Sequence, residues 1–454
     1  IYYDVMVRFM STGKGFGCRP NITHPSPFAE LLFGKVDVPV RSRLRFSLIK
    51  RDVLQMGRNS TVIPSNDPAL RASVAAAYHA FHLQKQVIPF HLNDIFKMPL
   101  ELRSASPGLP WKTHYRTRGE VMDDTAARNS IKWYWHRIKA GETVHPADSC
   151  VFYRAHIEKE DGTPKIRAVY GYPTTITLCE AQFALPLIMA FKKGTTPLAY
   201  GFDMVSGGAM KIRRDLLPYK HYGCFDFSGF DKSVSAQLIR IAFDILFSNI
   251  DFSRYQDHGV PDAIRLIRVW DYLVDYFINT KLRLSNGERY IKNAGVPSGS
   301  YFTQIIDSIV NYIVLQYAFF KVHGRRPAYI KVFGDDSVIG AEFYISKYVI
   351  AEVIESIGME INLKKSIVTT DVDSVEFLGF KLTSGFPTRS LNKWLSSVYH
   401  PEYDDRCMDD LQSRMLGLFY ANHGVNNVLS AMCRYAVNFK PFTIHLSRDM
   451  RRFL

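Results

Sequence analysis

Asp226, Asp335 and Asp336 are the residues whose types and spacing point most directly to chemistry. Gly334-Asp335-Asp336 falls between two short β-rich runs, residues 330–333 and 337–339, so both acids are expected at a hairpin tip. Asp226 closes a strand expected over residues 221–227. Carboxylates crowded at a tight turn repel one another, and nothing in the local sequence neutralises them. A divalent cation would, and two-metal nucleotidyl transfer needs such a cluster. Mg²⁺ suits these hard oxygen ligands. By itself Gly-Asp-Asp is also an ordinary turn, because Asp and Gly both favour turn geometry. Its neighbours in the sequence decide between the two.

Asp231 follows Asp226 by five residues, in Asp-Phe-Ser-Gly-Phe-Asp. Gly229 lets the chain turn so that Asp231 points back to the same place. Alternatively, Asp231 caps a helix beginning Lys232-Ser233-Val234. Further on, Gly295-Val296-Pro297-Ser298-Gly299 is a turn-rich loop leading into a helix with Tyr301, Phe302, Ile305, Ile306, Ile309, Val310 and Ile313 apolar. Thr303, Asp307 and Asn311 recur every fourth residue as one polar stripe on that helix. The stripe could bond a ribose 2′-hydroxyl, a base or Asp231, or it could be a solvated face.

The elements that must position these groups sit in a chain of 454 residues, 47% hydrophobic, with net charge +14. That length supports a large core divided into subdomains. The charge suggests a polyanionic partner, nucleic acid first, against the plainer reading of a basic surface. Arg41, Arg43 and Arg45 would share one face of a strand. Lys211, Arg213 and Arg214 form a second group, and Arg448, Arg451 and Arg452 a third. Six scattered cysteines without C-x-x-C argue against a zinc site or a disulfide scaffold and fit a reducing, cytoplasmic setting. No apolar run is read as membrane-spanning, residues 183–191 being too short, and no secretory signal is visible. The first residue is not Met, which fits a trimmed or processed product. No repeat or low-complexity linker interrupts the chain. Ile345, Val349, Ile350, Val353, Ile354 and Ile357 predict a helix stopped at Gly358. From residue 391 on the chain reads as helical, with Met415, Leu416, Leu418 and Phe419 apolar.

Taken in order, Asp226-x4-Asp231, Ser298-Gly299-x3-Thr303 and Gly334-Asp335-Asp336 resemble motifs A, B and C of viral RNA-dependent RNA polymerases. Lys159 and Lys165-Ile-Arg167 resemble the basic motif F. Ser106-Pro-Gly108-Leu-Pro110 resembles motif G at the template entrance. Lys364 and Lys365 resemble motif D, and Glu376-Phe377-Leu378-Gly379-Phe380 resembles motif E. The resemblance covers residues 106–380, with seven motifs in the family's order. Val296-Pro-Ser-Gly-Ser-Tyr-Phe-Thr-Gln304 and the short length look most like partitiviruses, with picobirnaviruses next; both have double-stranded RNA genomes.

The resemblance implies an α+β right hand of fingers, palm and thumb, with an antiparallel palm sheet backed by helices. Residues 1–220 would be an N-terminal region with fingers, 221–231 palm, 232–294 a fingers insertion, 295–385 palm and 386–454 a helical thumb. Asp226 and Asp335, with Asp336 weaker, would hold two Mg²⁺ ions, with Mn²⁺ able to substitute. Lys159, Lys165 and Arg167 would neutralise the triphosphate, and Lys365 or its neighbour Lys364 would protonate the leaving pyrophosphate. Asp231, Ser298, Gly299 and Thr303, with Asp307 or Asn311, would read the nucleotide. Ser106, Gly108, Pro110, Phe377, Leu378 and Gly379 would meet template or product. Expected partners are RNA, ribonucleoside triphosphates and a viral capsid protein, with no membrane, in the virion interior and host cytoplasm. One departure stands out: many positive-strand enzymes carry Asn four residues after the motif B Thr, where this chain has Asp307. A reverse transcriptase is the nearest rival. It is opposed by Asp231, where those enzymes place a bulky aromatic, by Gly334, and by Ser298-Gly299. A non-catalytic RNA-binding packaging protein is opposed by the intact aspartates.

Overall fold

The structure is a computed structural model that describes residues 6–18, 24–159 and 161–446. Arg448, Arg451 and Arg452 lie outside the described residues. The strands are β1 (Val7–Thr12), β2 (Ser149–Ala155), β3 (Ile166–Gly171), β4 (His221–Cys224), β5 (Lys281–Arg283), β6 (Glu288–Lys292), β7 (Tyr329–Phe333), β8 (Asp336–Ala341), β9 (Ile367–Thr369), β10 (Glu376–Phe377) and β11 (Phe380–Lys381). They form a five-stranded sheet ordered β1-β6-β5-β2-β3, a four-stranded sheet ordered β7-β8-β4-β9, and the hairpin β10-β11.

The four-stranded sheet is antiparallel throughout. The β7-β8 hairpin forms as expected, with Phe333 paired to Asp336, so Gly334 and Asp335 alone make the turn. Gly334 has φ +62°, the left-handed region that a two-residue hairpin turn demands. Behind the sheet lies the Thr303–His323 helix, packed against β7 and the helices Pro68–Ala80, Ala236–Ser248 and Lys347–Ser356. The last of these is the helix predicted to stop at Gly358. The Thr303–His323 helix is buried all round over residues 305–319. That rules out a solvated face for Asp307 and Asn311. Together with Thr174–Phe191 it is long and apolar enough to cross a membrane, yet the two are 83% and 78% buried. The expectation of no run of that length therefore fails; both are core helices.

Other expectations are corrected by long-range packing. Arg41, Arg43 and Arg45 do not share a strand: only Arg41 makes an isolated bridge, to Ile157, and Arg45 precedes the helix Phe46–Leu54. The boundary at residue 220 does not follow the core. Ala199, Phe202, Met204, Ile212 and Leu216 pack with Tyr222 of β4 and Val338 of β8, so this segment belongs with the four-stranded sheet. Nor is the N-terminal region one unit. Ala29 and Val38 share a core with Trp394, Val398, Leu411 and Met415 of the C-terminal helices Leu391–Tyr399 and Met408–Asn422, and the Ser26 hydroxyl donates to Asp405 at 2.6 Å.

Lys292 is fully buried, and its Nζ donates to the carbonyls of Phe277 (2.6 Å), Ile278 (3.0 Å) and Gly295 (3.0 Å). Phe277 and Ile278 end the helix Ala263–Ile278, where a cation meets the negative end of the helix dipole. Gly295 begins the Ser298 loop, so one ammonium joins a helix end to that loop. Lys292→Met removes the ammonium from three buried carbonyls, of which, among the described residues, only that of Phe277 keeps another donor, the Thr280 hydroxyl at 3.2 Å. The expected cost is about 3 kcal/mol or more, measured as a lowered thermal or denaturant midpoint. An unchanged midpoint would show that the three bonds contribute nothing net.

Candidate active site

Asp226 lies just beyond β4. The β4-β8 pairing ends with Gly223 opposite Ile339, and the chain runs on from it to bring the Asp226 charge to bear on Asp336. Ser366 Oγ accepts from the Asp226 N–H at 2.9 Å, and the Asp226 carbonyl accepts from the Asn362 N–H at 2.7 Å. The hairpin tip is held from behind. The Gly334 N–H donates to Ser308 Oγ at 2.8 Å, and the Asn311 amide donates to the carbonyls of Gly334 (3.0 Å) and Asp336 (3.1 Å).

The acids feel one another. Burial raises the Asp226 carboxyl, with Asp335 and Glu376 adding to the rise and Lys365 and Lys165 opposing it. Burial, then the charges of Asp335, Asp226 and Glu376, push Asp336 up to about 7. Among the described residues none of the three aspartates is in an ion pair. Oxygen-only donors, crowded, free of ion pairs among the described residues and partly open to solvent, fit a hard divalent cation.

A cleft beside Asp335 is lined by Asp52, Arg154, His156, Arg167, Asp231 and Ser298 among others. Burial, then Arg167, Lys165, Arg154 and Arg41, lower His156 to about 4, which marks this wall as strongly positive. Asp231 sits within the short helix Phe230–Ser233 and does not cap it; Ser235 caps the next helix. Asp231 and Asp307 are hydrogen-bonded, and burial, then the Asp231 charge, raise the Asp307 carboxyl far above the usual range. Of the two carboxyls Asp307 is the one driven further toward its neutral form, by burial and the neighbouring Asp231 charge.

The Ser298 loop is stitched to β3. Ser298 Oγ donates to the Ala168 carbonyl at 3.0 Å, and the Tyr170 N–H donates to the Ser298 carbonyl at 2.8 Å. At Gly299 (φ +131°) a Cβ would lie 2.0 Å from the Tyr170 carbonyl oxygen, so only glycine fits there. The Thr303 hydroxyl donates to the Pro297 carbonyl at 2.5 Å, closing the loop.

Comparison with known proteins decides what this arrangement is. A family profile described as viral RNA-dependent RNA polymerase matches residues 56–421. The chain belongs to this family. Similar proteins include the RNA-directed RNA polymerase of Cryptosporidium parvum virus 1, 29% identical over 348 residues, covering 70% of this chain and 62% of that one. That of Atkinsonella hypoxylon virus is 26% identical, covering 62% of this chain and 49% of that one. That of White clover cryptic virus 1 is 25% identical, covering 60% and 48%. The chain thus spans about half to three-fifths of these relatives' length. The sicinivirus 3Dpol RNA-dependent RNA polymerase superposes with TM-score 0.68 at 17% identity, covering 95% of this chain and 96% of that one, which shows the right-hand polymerase fold.

Within this member of the family the motif residues do not all do what the resemblance implies. Asn311, one turn below Asp307 on a buried helix, spends its amide on the hairpin backbone and is fully buried, so it is not placed to read a sugar. The Thr303 hydroxyl is likewise spent within its own loop. Phe377 is a core residue in the cluster that holds Cys224 and Val338, Leu378 at the hairpin tip is half-buried against the same core, and of the pair at the tip only Gly379 is exposed. Lys159 is exposed on a turn and is not among the residues lining the cleft, whereas Lys165 and Lys365 both act electrostatically on Asp226. Lys364 is exposed and no such action is found for it. The Ser106 loop packs on residues 172–174 through the Pro107 carbonyl, which accepts from the Thr174 N–H and hydroxyl, with Gly108 buried and Pro110 exposed.

Several residues of the site carry no signal in the sequence: Asp52, which accepts from the Ala168 N–H at 2.9 Å and pairs with Lys232, and Arg154 and His156 on the cleft wall; Glu376 is legible as part of motif E but not as a member of the acid cluster. Glu180 carried a readable signal as the one charged residue in the helix Thr174–Phe191. It is buried, bonded to the Ser300 hydroxyl and accepting from the Tyr301 N–H at 3.3 Å, so it anchors the far side of the motif B loop. Burial raises it to about 8 from 4.5.

The sign of the resulting pH effect is fixed. Folded Glu180 keeps a proton that the unfolded chain releases above about pH 4.5, so stability falls as pH rises from there to about 8. The ceiling is about 5 kcal/mol. Glu180→Gln keeps the neutral shape and cannot ionise. Its stability relative to wild type is expected to climb between pH 5 and 9 in denaturant titrations; a flat difference would contradict a buried neutral Glu180.

Proposed function

We propose that this chain copies RNA from an RNA template, replicating and transcribing a viral double-stranded RNA genome by two-metal nucleotidyl transfer. The observation that carries the reading is the strand register that brings Asp226 to an unneutralised Asp335-Asp336 turn beside a cleft walled by Arg154, His156 and Arg167. Mg²⁺ ions, or Mn²⁺ in their place, held by Asp226 and Asp335 with Asp336 behind, would activate the 3′-hydroxyl and stabilise the departing pyrophosphate. Arg167 and Lys165 neutralise the triphosphate, the guanidinium fork matching phosphate oxygens. Lys365, beside Asp226, is the candidate proton donor to the leaving group. The protein's share is mostly positioning and charge stabilisation. Asp231, oriented by protonated Asp307, accepts from the ribose 2′-hydroxyl, so Asp307 acts through Asp231.

In this reading the four-stranded sheet and its helices are palm, the five-stranded sheet is fingers and the helices from Leu391 on are thumb. RNA and ribonucleoside triphosphates are the partners the family implies. The double-stranded genome, a capsid protein partner and residence in the virion interior and host cytoplasm rest on the partitivirus-like wording around Ser298.

Two variants test the reading on a defined RNA template. Asp335→Ala is expected to reduce Mg²⁺-dependent product to background; undiminished synthesis would overturn the reading. Asp231→Ala is expected to shift use toward deoxyribonucleotides by about tenfold or more, measured as competing incorporation. Wild-type incorporation together with wild-type sugar selectivity would remove Asp231 from the role.

A further inference from the structure

Cys407, Asp410 and His445 meet at a corner of the C-terminal helices, and none of the three lines the nucleotide cleft. Cys407 is the N-cap residue of the Met408–Asn422 helix, and Asp410 lies three residues on, on the same side of the first turn. The chain returns to this turn after the Asn427–Asn438 helix. Lys440 Nζ donates to Asp409 Oδ1 at 2.9 Å, the Thr443 N–H donates to Asp409 Oδ2 at 3.0 Å, and the His445 N–H donates to Ser413 Oγ at 2.9 Å. Those bonds fix the backbone so that His445 Nδ1 reaches Asp410 Oδ1 at 2.6 Å. One ligand atom from each of Cys407, Asp410 and His445 lies within 4.8 Å of the others.

The donor set is sulfur, nitrogen and oxygen. That is the zinc pattern, because Mg²⁺ and Ca²⁺ prefer oxygen alone. Zinc bonds of about 2.0–2.3 Å put neighbouring ligand atoms roughly 3–4 Å apart, so the three close on one ion with small side-chain rotations. A thiolate and a carboxylate cancel its two charges. The Arg406 N–H donates to Asp410 Oδ2 at 2.9 Å and orients that carboxylate from behind. The Arg406 guanidinium, 3.5 Å away, has a side chain 84% exposed, so solvent screens it. His445 is partly exposed and leaves a path for an ion and a water.

We propose that Cys407, Asp410 and His445 bind Zn²⁺, with water as fourth ligand, clamping the 440–446 segment to the Met408–Asn422 helix. The absence of C-x-x-C in the sequence argues against a zinc site, and local spacing could not reveal one whose ligands come from segments 35 residues apart.

The test uses the full chain, stripped with chelator and titrated with Co²⁺ as a spectroscopic stand-in for Zn²⁺. Wild type is expected to take up one thiolate-bound Co²⁺, seen as a thiolate-to-cobalt charge-transfer band with tetrahedral visible bands and erased by Zn²⁺. The band should vanish in Cys407→Ser and in His445→Ala and survive in Asp335→Ala, whose acid cluster carries no sulfur ligand. Serine is a good N-cap and His445 is partly exposed, so both variants should fold; circular dichroism checks it. No band in wild type, or a band that persists in either folded variant, overturns the proposal.

Discussion

The structure turns on a repulsion. Strand register forces Asp226, Asp335 and Asp336 together, with Glu376 close by, and among the described residues no cation is paired with the three aspartates. Left to itself such a turn would splay. It is held by groups that carry no charge: Ser308 and Asn311 on the Gly334 and Asp336 backbone, Ser366 and Asn362 on that of Asp226. Neutral donors and acceptors fix the backbone without spending the negative charge, which stays available for a metal. This is preorganisation in a physical sense: the cost of crowding the acids is met by folding, before any substrate arrives.

A second set of bonds couples the walls of the cleft. The Ser298 loop, which borders the expected sugar position, is bonded to Ala168 and Tyr170 of β3, next to Arg167. Its entrance is tied to a helix end by Lys292 and its exit to Glu180. Movement of the loop therefore cannot be independent of the strand that carries Arg167. In mechanical terms the Ser298 loop and the Arg167 wall form one unit, and the buried Glu180 gives that unit a dependence on pH.

The parts legible in the sequence were those written locally. The β7-β8 hairpin, the Lys347–Ser356 helix and the polar period of Thr303, Asp307 and Asn311 all follow from spacing within twenty residues. What the polar period could not reveal was its surroundings. A stripe of three polar groups looks the same whether it meets water, a ligand or a hairpin, and only the burial of the whole helix sends Asn311 to the Gly334 turn. Phe377 shows the same limit, its motif being readable while the core that claims its ring is not. The segment boundaries failed for a related reason. Ala29 packing on Trp394, and Met204 on the sheet that carries Asp226, are contacts between distant segments with no local signal. Glu180 was the exception, a lone charge in an apolar helix that could have been flagged as needing a buried partner.

The central claim is that Asp226 and Asp335 together hold the ions that perform transfer. Anomalous diffraction from crystals of the chain with an RNA template-primer, Mn²⁺ and a non-hydrolysable nucleotide measures it directly. The account predicts two Mn²⁺ peaks about 3.5–4 Å apart, both within coordination distance of the Asp226 and Asp335 carboxylates. A well-ordered nucleotide in the cleft with no Mn²⁺ on these two residues would contradict it.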